Sequence, residues 1–165
     1  MEKYCLNYES ENSMNQPKIY LAHPMRGKLG SGGNQEYNYQ NVNSAQAIKN
    51  VQWLRLVFPQ VDFYCPGEVE EPIQMAAKKG LMTTEEVLYM DLCILQENCC
   101  GALLHRWEPS EGVNGELNRV RDLGYPWTLI EGPSDITKCS MEDFISIKLL
   151  VDEVLEFDKL RRQNV

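Results

Sequence analysis

The run Trp107-Glu108-Pro109-Ser110-Glu111-Gly112-Val113-Asn114-Gly115-Glu116 has the spacing in this chain that best suits chemistry. It leaves a continuous apolar stretch, Cys99 to Leu104, and enters a pattern of helical period. Its backbone amides therefore fall at a helix start, where unpaired N–H groups welcome an anion. Ser110 adds a hydroxyl donor, while Gly112 and Gly115 let a ligand approach the backbone. Glu116 reads as a first-turn residue whose ionised form the helix field favours. An ionised carboxylate facing a crevice is a nucleophile suited to a sugar carbon. The plainer reading is a serine cap followed by an ordinary helix-start glutamate, and the local pattern alone leans that way.

Asp91 stands in Leu88-Tyr89-Met90-Asp91-Leu92-Cys93-Ile94-Leu95, an apolar setting for a charge. Burial raises a carboxyl pKa and suits a proton donor to a leaving base; the alternative is an aspartate on a solvated stripe. Arg26 follows Pro24-Met25 and precedes Gly27, a place from which a guanidinium can fork onto phosphate with Lys28 nearby; otherwise it is a solvated loop charge. His23 and His105 each close a strand near the same crevice. No cysteine or carboxylate spacing around them resembles a metal set, so no metal is expected. Trp107 either stacks on a base or packs the crevice wall.

These residues need a scaffold, and the hydrophobic pattern supplies one. Lys18 to His23 is a β-prone run closed by Pro24, followed by a polar loop with Gly27, Gly30, Gly32 and Gly33. From Tyr39 to Phe58, Val42, Ala45, Ile48, Val51, Leu54 and Phe58 recur near helical spacing until Pro59 ends the pattern. Val61 to Cys65 predicts a second short strand, and Pro72 to Lys79 one or two helical turns ended by Gly80. Thr83-Thr84-Glu85-Glu86 offers a cap hydroxyl and first-turn acids for the helix that carries Asp91. Cys99 to Leu104 has the composition of a central parallel strand buried on both faces. A helix from Val113 to Leu123 ended by Gly124, a strand from Trp127 to Ile130 and a terminal helix from Met141 to Arg162 complete the order. Phe144, Ile147, Val151, Val154 and Phe157 share one stripe of that last helix.

Strands alternating with helices predict an α/β fold, a three-layer Rossmann-like (flavodoxin-like) parallel sheet of four to five strands with helices on both faces. Ligands gather at the carboxyl ends of such strands, which selects the loops His23 to Gly33 and His105 to Gly112. Residues 1–17 are expected to be a loosely held arm and 18–165 a single domain. A chain of 165 residues with 43% hydrophobic content is suited to one core. The formal charge of −8 argues against holding nucleic acid or an anionic membrane by bulk electrostatics, so any phosphate must be met locally. Six cysteines without CxxC spacing, no signal pattern and no long apolar run predict a cytoplasmic protein with free thiols.

In order and spacing these segments resemble the nucleoside 2-deoxyribosyltransferase superfamily, and within it the deoxynucleoside 5′-monophosphate N-glycosidases and related phage and bacterial proteins. Ile19-Tyr20-Leu21-Ala22-His23-Pro24-Met25-Arg26-Gly27 is similar to that family's first strand and phosphate loop, where a tyrosine precedes a Gly-Ser-x-Arg-Gly type turn. Asp91 falls where the family has a helix aspartate, 25 residues ahead of Glu116. Pro109-Ser110 through Glu116 resembles its Pro-Ser-x-Gly-x-x-x-Glu segment, and the similarity spans residues 18–130. The resemblance implies that Tyr20 orients Glu116, that Arg26 and Ser110 hold a phosphate beside Gly27 and Gly112, and that Asp91 assists base departure or contacts the base. His23 and Trp107 would line the same crevice.

Glu116 would form a glycosyl-enzyme ester, released by water in a hydrolase or by a second base in a transferase, without a cofactor. A nucleotide-binding protein without turnover is the reading from another class. Two features depart from the family pattern. His23 and Pro24 replace small Gly and Ser, which removes a hydroxyl and brings an imidazole toward the sugar pocket. The glycine-rich Lys28 to Tyr37 loop is long, a lid or an insertion. The resemblance also implies a homodimer or higher homo-oligomer whose neighbouring subunit completes the crevice.

Overall fold

The computed structural model describes residues 16–24, 34–69, 72–73, 75–76 and 79–163. Its β-prone runs form four parallel strands, β1 (Lys18–Ala22), β2 (Asp62–Tyr64), β3 (Gly101–His105) and β4 (Trp127–Ile130). They lie in the order β2-β1-β3-β4, the flavodoxin-like arrangement, with Tyr20 opposite Tyr64 on one side and Ala102 on the other. The helices are α1 (Asn34–Val57), α2 (Thr84–Asn98), α3 (Glu111–Asp122) and α4 (Met141–Gln163). From β1 the chain passes through α1 to one side of the sheet, and from β3 through α3 to the other. The topological switch point therefore falls between β1 and β3.

Strand alternation assigns the faces. Ile19, Leu21, Phe63, Leu103 and Ile130 pack against Val51 and Leu54 of α1 and Ile147, Val151 and Val154 of α4. Tyr20, Ala22, Ala102 and Leu104 face the other way, toward Leu95 of α2 and Val113 and Val120 of α3. Every residue of β3 is buried, as a strand covered on both faces requires. Gly101 lets α4 lie close: a Cβ there would stand 2.5 Å from Val154 Cγ2 and 2.9 Å from Pro126 O.

The expected α/β architecture is thus the observed one, with several boundaries moved for physical reasons. α1 begins at Asn34 rather than Tyr39, because the polar segment after Gly33 holds no breaker. Only residues 28–33 of the expected Lys28 to Tyr37 loop remain ahead of the helix, and they lie outside the described residues, as does the arm over 1–15. At the arm's end, Pro17 O accepts from Asp62 N at 3.0 Å. β2 is confined to Asp62–Tyr64, since Pro66 follows at once and opens a short 3-10 turn. β3 starts later than Cys99, which ends α2, and runs on to His105. Thr83 and Glu86 make a reciprocal capping box at the start of α2, and Gly124 ends α3's exit turn at φ 65°. Among the described residues no helix is long and apolar enough to cross a membrane.

Candidate active site

Tyr20 lies mid-strand in β1 on the α2/α3 face and is wholly buried. Its Oη donates to Glu116 Oε1 at 2.7 Å, joining positions 96 residues apart. α3 brings Glu116 there because Val113, Glu116 and Val120 follow one another at spacings of three and four, the buried stripe of the helix. A carboxylate thus stands where packing alone would put an aliphatic side chain. Asp91 occupies the same kind of place on α2, one turn before buried Leu95. Asp91 and Glu116, 5% and 6% exposed, are the buried carboxylates among the described residues. Asp91 is therefore not on a solvated stripe.

The electrostatics correct one expectation. Ser110 caps α3, its Oγ accepting from Val113 N at 3.3 Å, so Glu111 takes the first turn and Glu116 falls in the second. The helix field fades within the first turn, leaving burial to dominate. Burial pushes the Glu116 carboxyl from 4.5 up to about 8; the Tyr20 hydrogen bond opposes the rise and the charge of Asp91 adds to it. The resting side chain is mostly protonated at neutral pH rather than ionised. Tyr20 is driven well above the usual phenol value by burial and then by Glu116, so it keeps its proton and acts as a fixed donor.

A residue the sequence did not single out joins this group. Tyr64, on the edge strand β2, sits in register with Tyr20, and the two rings lie 5.5 Å apart. Its hydroxyl is pushed above its ordinary value by burial and then by Asp91. In the sequence it is one tyrosine in a β-prone run. Only the strand register reveals its neighbour.

At the exits of β1 and β3, on either side of the switch point, His23 and His105 flank Trp107. His23 is stacked nearly parallel to the indole, with centroids 6.2 Å apart, and His105 meets it edge-on at 4.7 Å. Burial lowers both imidazoles to about 4, so both are neutral at pH 7. His105 Nε2 donates to Pro133 O at 2.9 Å, and its Nδ1 accepts from Asn50 Nδ2 at 3.3 Å. Asn50 also donates to Ser134 O at 2.7 Å and accepts from Ile136 N at 3.2 Å. His105 thus fastens the loop after β4 to α1. His23 directs Nδ1 to Pro24 O at 3.3 Å, while its Nε2 lies 3.3 Å from where a Cβ on Gly67 would stand. Trp107 packs partly buried against the α1/α4 core.

The structure brings Tyr20, Asp91 and Glu116 together and sets Ser110 at the start of the same helix. A Cβ on Gly112 would meet only Ser110 Oγ, at 3.7 Å, and one on Gly115 nothing within 4 Å, so packing does not demand glycine at either. Arg26, Gly27 and Lys28 lie outside the described residues. Among the described residues no three His, Cys, Asp or Glu side chains converge as a metal set. An open groove of about 470 Å³ between Tyr125, Trp127 and the Phe157 end of α4 lies at the amino end of β4 and shares no residue with this cluster. Comparison of the chain with models of known protein families, with curated proteins and with solved structures gives no match in any of the three.

Proposed function

We propose that the chain is an N-glycosidase that cleaves the base–sugar bond of a (deoxy)nucleoside 5′-monophosphate, with Glu116 as the nucleophile. The observation that carries this reading is the buried 2.7 Å hydrogen bond from Tyr20 to Glu116, with Asp91 enclosed on the same face. The combination follows the order and spacing of the resembling family. Tyr20 holds one carboxylate oxygen and thereby aims the other at C1′. Ser110, with Arg26, grips the phosphate.

The resting site carries the proton the reaction needs. With Glu116 protonated and Asp91 enclosed on the same face, the proton has a second carboxyl group to pass to. Moving it from Glu116 toward Asp91 and the departing base leaves an ionised nucleophile and a neutral leaving group. The C1′–N bond breaks with its electron pair going to the base, a C1′–O bond forms to Glu116, and water then hydrolyses the ester to sugar phosphate and carboxylic acid. The reading carries with it a homo-oligomer and a cytoplasmic setting, in keeping with the free thiols Cys65, Cys93, Cys99, Cys100 and Cys139.

A second reading, nucleotide binding without turnover, is favoured by the raised pKa of Glu116, because a neutral carboxylic acid is a ligand donor rather than a nucleophile. One experiment separates the two. The protein and Glu116→Ala are incubated with nucleosides and 5′-monophosphates, and free base is followed by chromatography. Base release confined to monophosphates and lost in the variant supports the glycosidase, and release that depends on an added acceptor base supports a deoxyribosyltransferase. A ligand bound and never consumed by the intact protein sinks the catalytic reading.

A further inference from the structure

We infer that Tyr64 is a substrate-contacting residue of the same site, its hydroxyl donating a hydrogen bond to an acceptor atom of the base. The inference rests on the glycosidase reading of Glu116 and Asp91 and adds to it the group that reads the base.

Three observations converge. Tyr64 Oη is shut off from solvent and has no hydrogen-bond partner among the described residues. A buried hydroxyl of this kind is costly to leave unpaired, and a phenylalanine would fill the same ring site without that cost. Its position is fixed by register: Tyr64 is paired with Tyr20 across β1 and β2, and their rings lie 5.5 Å apart. The third observation is directional. Tyr20 feels Glu116 more strongly than Asp91, whereas among the ionisable neighbours of Tyr64 Asp91 acts most strongly and Glu116 does not figure. Asp91 is thus within electrostatic reach of both tyrosines, and Glu116 acts on Tyr20 rather than on Tyr64. If Glu116 marks C1′ and Asp91 the departing base, Tyr64 faces the base. Burial also keeps the phenol protonated, so it offers a hydrogen rather than a charge. The partner it lacks is a carbonyl oxygen or bare ring nitrogen.

The test uses the full-length protein, Tyr64→Phe, and 5′-monophosphates whose bases lack one acceptor at a time (deaza and deoxo analogues). The intact protein is expected to lose about tenfold in kcat/KM on the analogue that lacks the contacted acceptor. Tyr64→Phe should lose a similar factor on the parent nucleotide, chiefly in KM, and nothing further on that analogue. Its pH–rate profile should match that of the intact protein. The inference is overturned if the intact protein treats all analogues alike, if Tyr64→Phe keeps the full selectivity, or if the variant instead shifts the pH profile, which would mark a residue acting through Asp91. The analogue series on the intact protein needs no variant to fold. Turnover with unchanged selectivity in Tyr64→Phe defeats this inference alone, whereas no base release from any nucleotide defeats the reading of the site and this inference with it.

Discussion

Glu116→Gln should make the protein more stable in alkali than the intact chain, by an amount that grows with pH. Glutamine keeps the shape and still accepts the Tyr20 hydrogen bond through its amide oxygen, but it does not titrate. In the intact protein the folded carboxyl titrates at about 8, against 4.5 for an ordinary glutamic acid. Between those values the folded state holds a proton that the unfolded state has released. The contribution to stability is therefore fully present below about 4.5, declines as pH rises and is gone above about 8. A full proton difference is worth about 1.4 kcal/mol per pH unit, so the window from 4.5 to about 8 amounts to on the order of 5 kcal/mol. That is a large part of the ~5–15 kcal/mol that holds an ordinary domain together. His23 and His105 act with the opposite sign. Their folded values near 4 lie below the ordinary 6.5, so they contribute stability above 6.5 that is lost as pH falls toward 4. Both histidines are common to the two proteins, and the difference between variant and intact chain isolates Glu116. Urea unfolding at a series of pH values between about 5 and 9 measures that difference. It should rise by about 1.4 kcal/mol per pH unit and level off above about 8. A difference that stays constant across the series would refute the protonated, buried carboxyl on which the site is argued.

On the glycosidase reading the same titration governs activity. If the proton held at Glu116 is the one passed to the departing base, kcat/KM should hold through neutral pH and fall about tenfold per pH unit above about 8, and a rate that keeps climbing through pH 8 would rule that transfer out. Tyr20→Phe removes the hydrogen bond that holds the Glu116 pKa down, so the falling alkaline limb should move to higher pH while the rate at neutral pH falls about ten- to a hundredfold as the carboxylate loses its orientation. An unmoved limb would mean that Tyr20 does not orient the carboxylate. Ser110→Ala takes away the cap that accepts from Val113 N, at a cost of about 1 kcal/mol in urea unfolding. On the glycosidase reading it also raises KM for monophosphates and leaves nucleosides unaffected, and equal effects on both would separate Ser110 from the phosphate.

The scaffold was largely legible in the sequence because its signals are local. Alternation in Lys18–Ala22, the continuous apolar β3, the Thr83 capping box and the stripe of Ile147, Val151 and Val154 each declare their element without knowledge of the rest. Boundaries slipped where the reading began at the first apolar residue, as at Tyr39, and not where the glycines end. The site was legible only in part. Asp91 and Glu116 stood out from their local patterns and Tyr20 through the family resemblance, but the protonation of Glu116 was misread because its place depends on where α3 begins. The spacing Val113–Glu116–Val120 did hold the clue, a carboxylate inside an apolar stripe. Tyr64 carried no such signal, since its partner lies on another strand and only the β1/β2 register brings them side by side. The role of His105 was equally hidden, because Asn50 and Pro133 reach it from distant parts of the chain.

The cluster is hard to explain as packing. Position 116 lies on the buried stripe of α3 and position 91 one turn from Leu95 of α2, and both helices cover the face of the sheet that Tyr20 occupies. A leucine or valine at either place would bury apolar surface without desolvating a carboxyl group, and a phenylalanine at 20 would need no partner. Among the described residues the partner of Glu116 is a tyrosine rather than a cation, and burial suppresses its charge with a proton. An arrangement that holds a proton at an enclosed carboxylate, beside a second acid and a phenol fixed in the donor state, gives up stability by an amount that grows as pH rises. It is the kind of strain expected where function, not the core, sets the residue types. On the glycosidase reading, the alkaline stabilisation predicted for Glu116→Gln and the loss of base release predicted for Glu116→Ala are two views of that one trade-off, since the proton that keeps the resting carboxyl neutral is then the one a departing base receives.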